Sequence, residues 1–171
     1  MTHPFLDLVT EALNQLHPRF AGKGTLVYPP AEADGPPAAR KERERPFVRE
    51  FYHQFRRLWD KALPVRLGLG HLIVQPDPNP PPGRQPDLLV WQLAEHGAAD
   101  RPLAALSFVS GSNPDALAAD LAALGRFRAA GYAVAVLVVV GAAAVAAPEG
   151  VTILPFDPDR WQVASGASPG P

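Results

Sequence analysis

Apolar residues recur at helical spacing from the start of the chain, where Phe5, Leu8, Val9, Ala12, Leu13 and Leu16 share one side. This pattern predicts an amphipathic helix over Pro4 to Leu16, with Thr2 as its cap and Pro18 just past its end. Residues 21–41 are rich in Gly, Pro and Ala and read as a loop, with a short extended piece at Thr25 to Tyr28. A mixed charge run, Arg40 to Arg45, leads into a second helix over Arg45 to Lys61, and Pro46 fits its first turn. Phe47, Phe51, Phe55 and Leu58 form an apolar stripe on that helix, while Glu50, His53, Gln54 and Arg57 share a polar face beside it.

The pattern then changes to strands. His71 to Gln75, Asp87 to Leu93 and Pro102 to Val109 are three candidates. The proline-rich loop Pro76 to Pro86 separates the first two, and Ala94 to Arg101 joins the next pair as a hairpin. Ser112 or Asn113 caps a following helix with Pro114 in its first turn, Leu117, Leu121, Leu124 and Phe127 on its inner face, and Gly131 as its end. Ala133 to Val140 is almost wholly apolar and β-branched, which predicts a central strand covered on both faces. Val151 to Leu154 reads as a last strand at an edge. The helix between two such strands argues for a parallel crossover, so the fold class is α/β or α+β with a mixed sheet flanked by helices.

Composition narrows the picture. The chain has 171 residues, 47% of them hydrophobic, enough for one buried core. Three stretches are expected: 1–44 as an N-terminal helix and Pro/Gly-rich loop, 45–160 as the core domain, and 161–171 as a flexible tail. The net charge of −1 removes any chain-wide basic footprint, so a nucleic-acid contact must come from a local patch. The absence of cysteine removes disulfides, thiolate zinc sites and cysteine nucleophiles, and fits a reducing cytoplasm. No signal peptide is read at the N-terminus. The longest apolar run, Tyr132 to Ala147, is broken by Gly141 and is shorter than the ~20 residues of a membrane helix, so no membrane partner is expected.

Two segments carry the candidate chemistry: Pro86-Asp87-Leu-Leu-Val-Trp91, and Leu103 to Val109 with Ser107 near its end. Together with the helix before them and the helix and strand after them, they resemble the core of the PD-(D/E)XK (restriction-endonuclease-like) nuclease superfamily from about Arg45 to Gly141. The resemblance implies an αβββαβ core. It also implies a motif aspartate at Asp87, a helical glutamate at Glu50, a second acid at the position of Ser107 and a lysine at the position of Val109. Hydrolysis of a phosphodiester uses carboxylates to hold Mg2+ or Mn2+ and a cation to steady the phosphate. Ser107 offers a neutral hydroxyl and Val109 no charge, so the chain keeps the outline of the site and lacks half its chemistry.

The expectation is therefore a catalytically impaired nuclease-like domain acting as a nucleic-acid- or protein-binding module. Glu50 and Asp87 would be vestigial catalytic residues and weak metal ligands, with Mg2+ or Mn2+ bound weakly or not at all. Ala105, Ser107 and Val109 would leave the presumed active face small and apolar, suited to packing. One alternative is an active nuclease with a rearranged site, recruiting Asp77, Glu95, Asp100 or Asp115 and Arg126 or Arg128. Another is a structural scaffold that forms homo-oligomers. Asp115 also reads as a first-turn acid favoured by the helix dipole, and His53, His71 and His96 as ordinary packing or surface residues.

Overall fold

The structure, a computed structural model, describes residues 3–17, 37–60, 65, 67–76, 85–94, 99–141 and 145–164. The extended piece expected at Thr25 to Tyr28 and the tail from Ser165 lie outside these residues. The elements are α1 (Pro4–Asn14), α2 (Pro37–Asp60), β1 (Leu72–Pro76), β2 (Leu88–Gln92), β3 (Arg101–Ser110), α3 (Pro114–Ala129), β4 (Val134–Val140), β5 (Val151–Asp157) and β6 (Gln162–Val163). The six strands form one sheet in chain order. β1, β2 and β3 pair antiparallel, β3, β4 and β5 pair parallel, and β6 returns antiparallel to β5. This is a mixed sheet of the α+β class.

All seven residues of β4 are buried, as its unbroken apolar run requires of a strand covered on both faces. One face packs against α1 and α2. Its core joins Phe5, Leu8 and Leu13 to Phe47, Phe51, Phe55, Leu106, Phe108, Val136 and Phe156. The rings interlock: Phe51 lies 4.9 Å from Phe108, Phe47 lies 5.5 Å from Phe156, and Phe5 lies 5.9 Å from Phe55. Truncating one such ring costs about 3–5 kcal/mol in cores of this kind. The other face packs against α3 through Ala105, Val109, Leu137 and Val139. A bulge at Leu103 shifts the β2–β3 register between Val90 and Trp91, so that both Leu103 and Ala104 fall on the α1–α2 side.

Several boundaries differ from the sequence expectation. α1 is capped by His3, whose Nδ1 accepts the Phe5 amide at 3.2 Å; Thr2, the expected cap, lies outside the described residues. α2 begins at Pro37 and runs through the charge run, so Pro46 lies inside it and not in its first turn. A proline within a long helix omits one backbone bond and bends the ladder without stopping it when both flanks favour helix. On α3 the buried residues are Ala116, Asp120, Ala123 and Leu124, while Leu117, Leu121 and Phe127 pack only partly. Small side chains let the helix sit close to the sheet, and the larger ones spread to its flanks. Asn113 caps α3 by accepting the Ala116 amide at 3.1 Å. At the other end Gly131, at φ +98°, and Tyr132 return their amides to Arg128 and Phe127 in the Schellman pattern.

β5 is longer than expected and is not the edge, because β6 pairs beyond it. Residues 161–164, expected within a flexible tail, are built into the fold. The Trp161 indole Nε1 donates to the Leu16 carbonyl at 2.6 Å, and its ring lies 5.4 Å from that of Phe156. The Val163 amide donates to Asn14 Oδ1 at 3.1 Å, and the Ala164 amide to the Pro155 carbonyl at 2.8 Å. Asp157 shapes the turn between β5 and β6 by accepting the Asp159 and Arg160 amides at 2.8 and 3.0 Å. That turn leaves Trp161 at φ +60°, a left-handed conformation rare for a bulky residue.

Candidate functional site

The β2–β3 hairpin places Asp87 and Ser107 opposite each other. Leu88 pairs with Leu106, so the antiparallel register sets Asp87, one residue before β2, across from Ser107. The Asp87 amide donates to the Leu106 carbonyl at 2.8 Å, and Asp87 Oδ2 accepts the Phe108 amide at 2.8 Å. β2 begins at this point, and the carboxylate takes up a strand amide just beyond the backbone ladder. Asp87 thus performs at a strand end what a capping side chain performs at a helix end.

Ser107 and Val109 are fully buried. Alternation along β3 aims both at α3, and Ser107 sits beside Leu137 of β4 in register. The small apolar surface expected from Ala105, Ser107 and Val109 is therefore covered by the chain's own helix. The Ser107 hydroxyl finds no hydrogen-bond partner among the described residues. A buried hydroxyl without a partner costs about 1–3 kcal/mol.

Glu50 stands apart from this pair. Its helix, α2, covers the opposite face of the sheet, with Phe47 and Phe51 packed on Phe108 at 5.9 and 4.9 Å. Glu50 Oε1 accepts Gln54 Nε2 at 2.6 Å, and Gln54 Oε1 accepts Arg57 Nη1 at 3.2 Å. Gln54 is buried, so this relay satisfies a polar group set into the apolar stripe of α2. The structure thus brings Asp87 and Ser107 together, aims Val109 to the same side as Ser107, and leaves Glu50 on a helix across the sheet.

Among the described residues, those that a rearranged site would recruit are Asp100 in the β2–β3 connection and Asp115, Arg126 and Arg128 on α3. Asp77, Glu95 and His96 lie outside the described residues. Asp100 Oδ1 accepts the Ala94 amide at 3.2 Å in the β2–β3 connection. Asp115 and Arg126 are exposed on α3, and Arg128 Nη1 donates to the Tyr132 carbonyl just past the end of that helix. His53 and His71 are exposed. Among the described residues no group of three or more His, Asp or Glu side chains is placed to hold a metal ion. Burial raises the Tyr132 phenol, whose ring stacks edge-on to Phe127 and Trp91 at 5.2 and 6.2 Å. That shift marks packing between α3 and β2.

One residue is missing from the sequence expectation. Asp120 is buried at 2% exposure on the sheet side of α3. Its signal is present in the spacing, because Asp120 falls one turn after Ala116 and one turn before Ala123 and Leu124. The leucines on either side draw the expected inner face away from it.

The Asp87–Ser107 pair supplies one carboxylate, engaged with a backbone amide, and one neutral hydroxyl. It supplies no cation to stabilise a phosphate. No family model matches the chain, and no curated protein matches it.

Proposed function

We propose that the chain is a nuclease-like domain of PD-(D/E)XK type that has lost its catalytic chemistry and acts as a binding module for a nucleic acid or a protein partner. The element order α2–β1–β2–β3–α3–β4 supports this reading, as do the antiparallel β2–β3 hairpin and the parallel step from β3 to β4. The observation that carries it is the Asp87–Ser107 juxtaposition. Asp87 and Ser107 face each other across the hairpin, as the two acids of the resembled motif would, while Ser107 and Val109 are buried on the α3 side. Loss of such groups costs orders of magnitude in rate.

The test is a cleavage assay on purified protein with Mn2+ or Mg2+, using single-stranded DNA, duplex DNA and RNA in turn, beside calorimetric titration of each ion. The expected result is no cleavage of any substrate and no micromolar ion binding. Cleavage by the unmodified chain that disappears in Asp87→Ala would overturn the reading.

A further inference from the structure

The outward side of α2 carries a stripe that the nuclease-like reading leaves unused. Residues 46–60 contain three arginines and one histidine against two acids, Glu50 and Asp60, in a chain whose net charge is −1. At about 100° per residue, Arg49, His53 and Arg56 fall within an arc of roughly 60°, with Arg57 beside them. All four are exposed. Glu50 accepts from Gln54, and Asp60 closes the helix one residue after Trp59.

Two aromatic side chains border the stripe. Tyr52 and Trp59 lie two turns apart and about 20° from each other around the helix axis, next to Arg56. Both are half-buried, with one side against the core. Trp59 is steadied edge-on by Phe55 at 6.3 Å, and the Arg56 guanidinium stands 4.8 Å from its ring centre. One flank of the surface is thus cationic and the other aromatic, both on a helix anchored by Phe47, Phe51, Phe55 and Leu58.

We infer that this face of α2 binds single-stranded nucleic acid, with Arg49, His53, Arg56 and Arg57 tracking phosphates and Tyr52 and Trp59 offering rings to unpaired bases. Charge complementarity selects a polyanion in a protein that is otherwise near neutral. The aromatics select exposed base faces, which a duplex keeps stacked inside. Anchoring matters because rings already held by the core lose little freedom on binding. The inference rests on the binding-module reading above for the class of partner, and it names a surface away from Asp87 and Ser107.

The test is fluorescence anisotropy of a labelled oligothymidylate with the full chain at low salt, repeated over a salt series and with a labelled duplex. The single strand is expected to bind more tightly than the duplex. Arg49→Gln/Arg56→Gln/Arg57→Gln removes three exposed cations, with Arg57→Gln also ending the bond to Gln54, and is expected to weaken single-strand binding at least ten-fold. It should also make the salt dependence shallower by about 2, since each phosphate that is no longer neutralised removes ~0.7 from the slope. Tyr52→Leu keeps apolar bulk against the core and removes the ring; it is expected to weaken single-strand binding about ten-fold, the low end of one stacked base, while Tyr52→Phe retains it. Thermal melts of each variant identify any loss that comes from unfolding.

Absence of single-strand binding by the unmodified chain overturns the inference, as does undiminished binding by the triple variant. Equal binding of heparin and oligothymidylate, indifferent to Tyr52→Leu, overturns the assignment to unpaired bases. These outcomes leave the non-catalytic reading standing, whereas metal-dependent cleavage overturns that reading and leaves the α2 surface untouched.

Discussion

The carboxylate of Asp87 accepts the backbone amide of Phe108 at 2.8 Å, one residue past Ser107, its neighbour across the hairpin. This bond gives Asp87 a structural task that requires neither a metal nor a substrate. Asp87→Ala should therefore lower stability by about 1–3 kcal/mol, the cost of a strand amide deprived of a charged acceptor. Asp87→Asn keeps an acceptor oxygen and should fall in between. Urea denaturation of the three proteins, compared at their midpoints, checks both values.

Ser107 presents the opposite case, a buried hydroxyl with no partner among the described residues. Ser107→Ala removes the group that lost its water, and we expect it to raise stability by up to about 1 kcal/mol. Ser107→Glu/Val109→Lys installs the acid and lysine of the motif the chain resembles, and it inserts two charged groups beneath α3. It should lower stability by several kcal/mol, which calorimetry or denaturation would read directly. A folded double variant of unchanged stability would show that these two positions are not sealed.

Trp161 ties the end of the sheet to the end of α1 through Nε1 and the Leu16 carbonyl. Trp161→Phe keeps a ring against Phe156 and loses the donor, so its expected cost is about 1 kcal/mol. Trp161→Ala loses both and should cost about 3 kcal/mol or more. Hydrogen exchange should report the loss first at α1 amides, while β4 amides stay protected.

Two groups give stability a pH dependence on the acid side. Burial lowers His3 from its ordinary 6.5, and its Nδ1 must be unprotonated to accept the Phe5 amide. The backbone amides of Arg160 and Asp159 lower Asp157 from its ordinary 3.8, with the burial penalty opposing them and the Arg160 charge assisting. Both folded-state values lie below the unfolded ones. Each contribution is therefore fully present above the unfolded value and is lost as pH falls through the folded one. Melting temperature should hold near neutrality, begin to fall below about 6.5 as His3 protonates, and fall again below about 3.8. His3→Ser, which caps without titrating near neutrality, should flatten the first decline.

How much of this is legible in the sequence depends on which residues speak for themselves. Val134 to Val140 has one reading in any context, and it forms the central strand. Asn113 and Gly131 bracket α3 by capping rules that need no tertiary partner. The inner face of α3 is harder to see because leucine spacing dominates the pattern, whereas a close helix–sheet contact takes Ala116, Ala123 and the carboxylate of Asp120. Pro46 suits a helix start as well as a bend, and nothing local distinguishes the two. Periodicity tells which side of α2 is apolar, but not which face of the sheet that side covers. For that reason Glu50 aligns with Asp87 on paper while the sheet stands between its helix and Ser107.

The pairing of Asn14 and Leu16 with Val163 and Trp161 also orders events in time. Synthesis runs from α1 toward residues 161–163, so α1 acquires these partners only after β6 has emerged. Until then its docking rests on α2, and a nascent chain halted before Trp161 carries an α1 that is placed but not fastened.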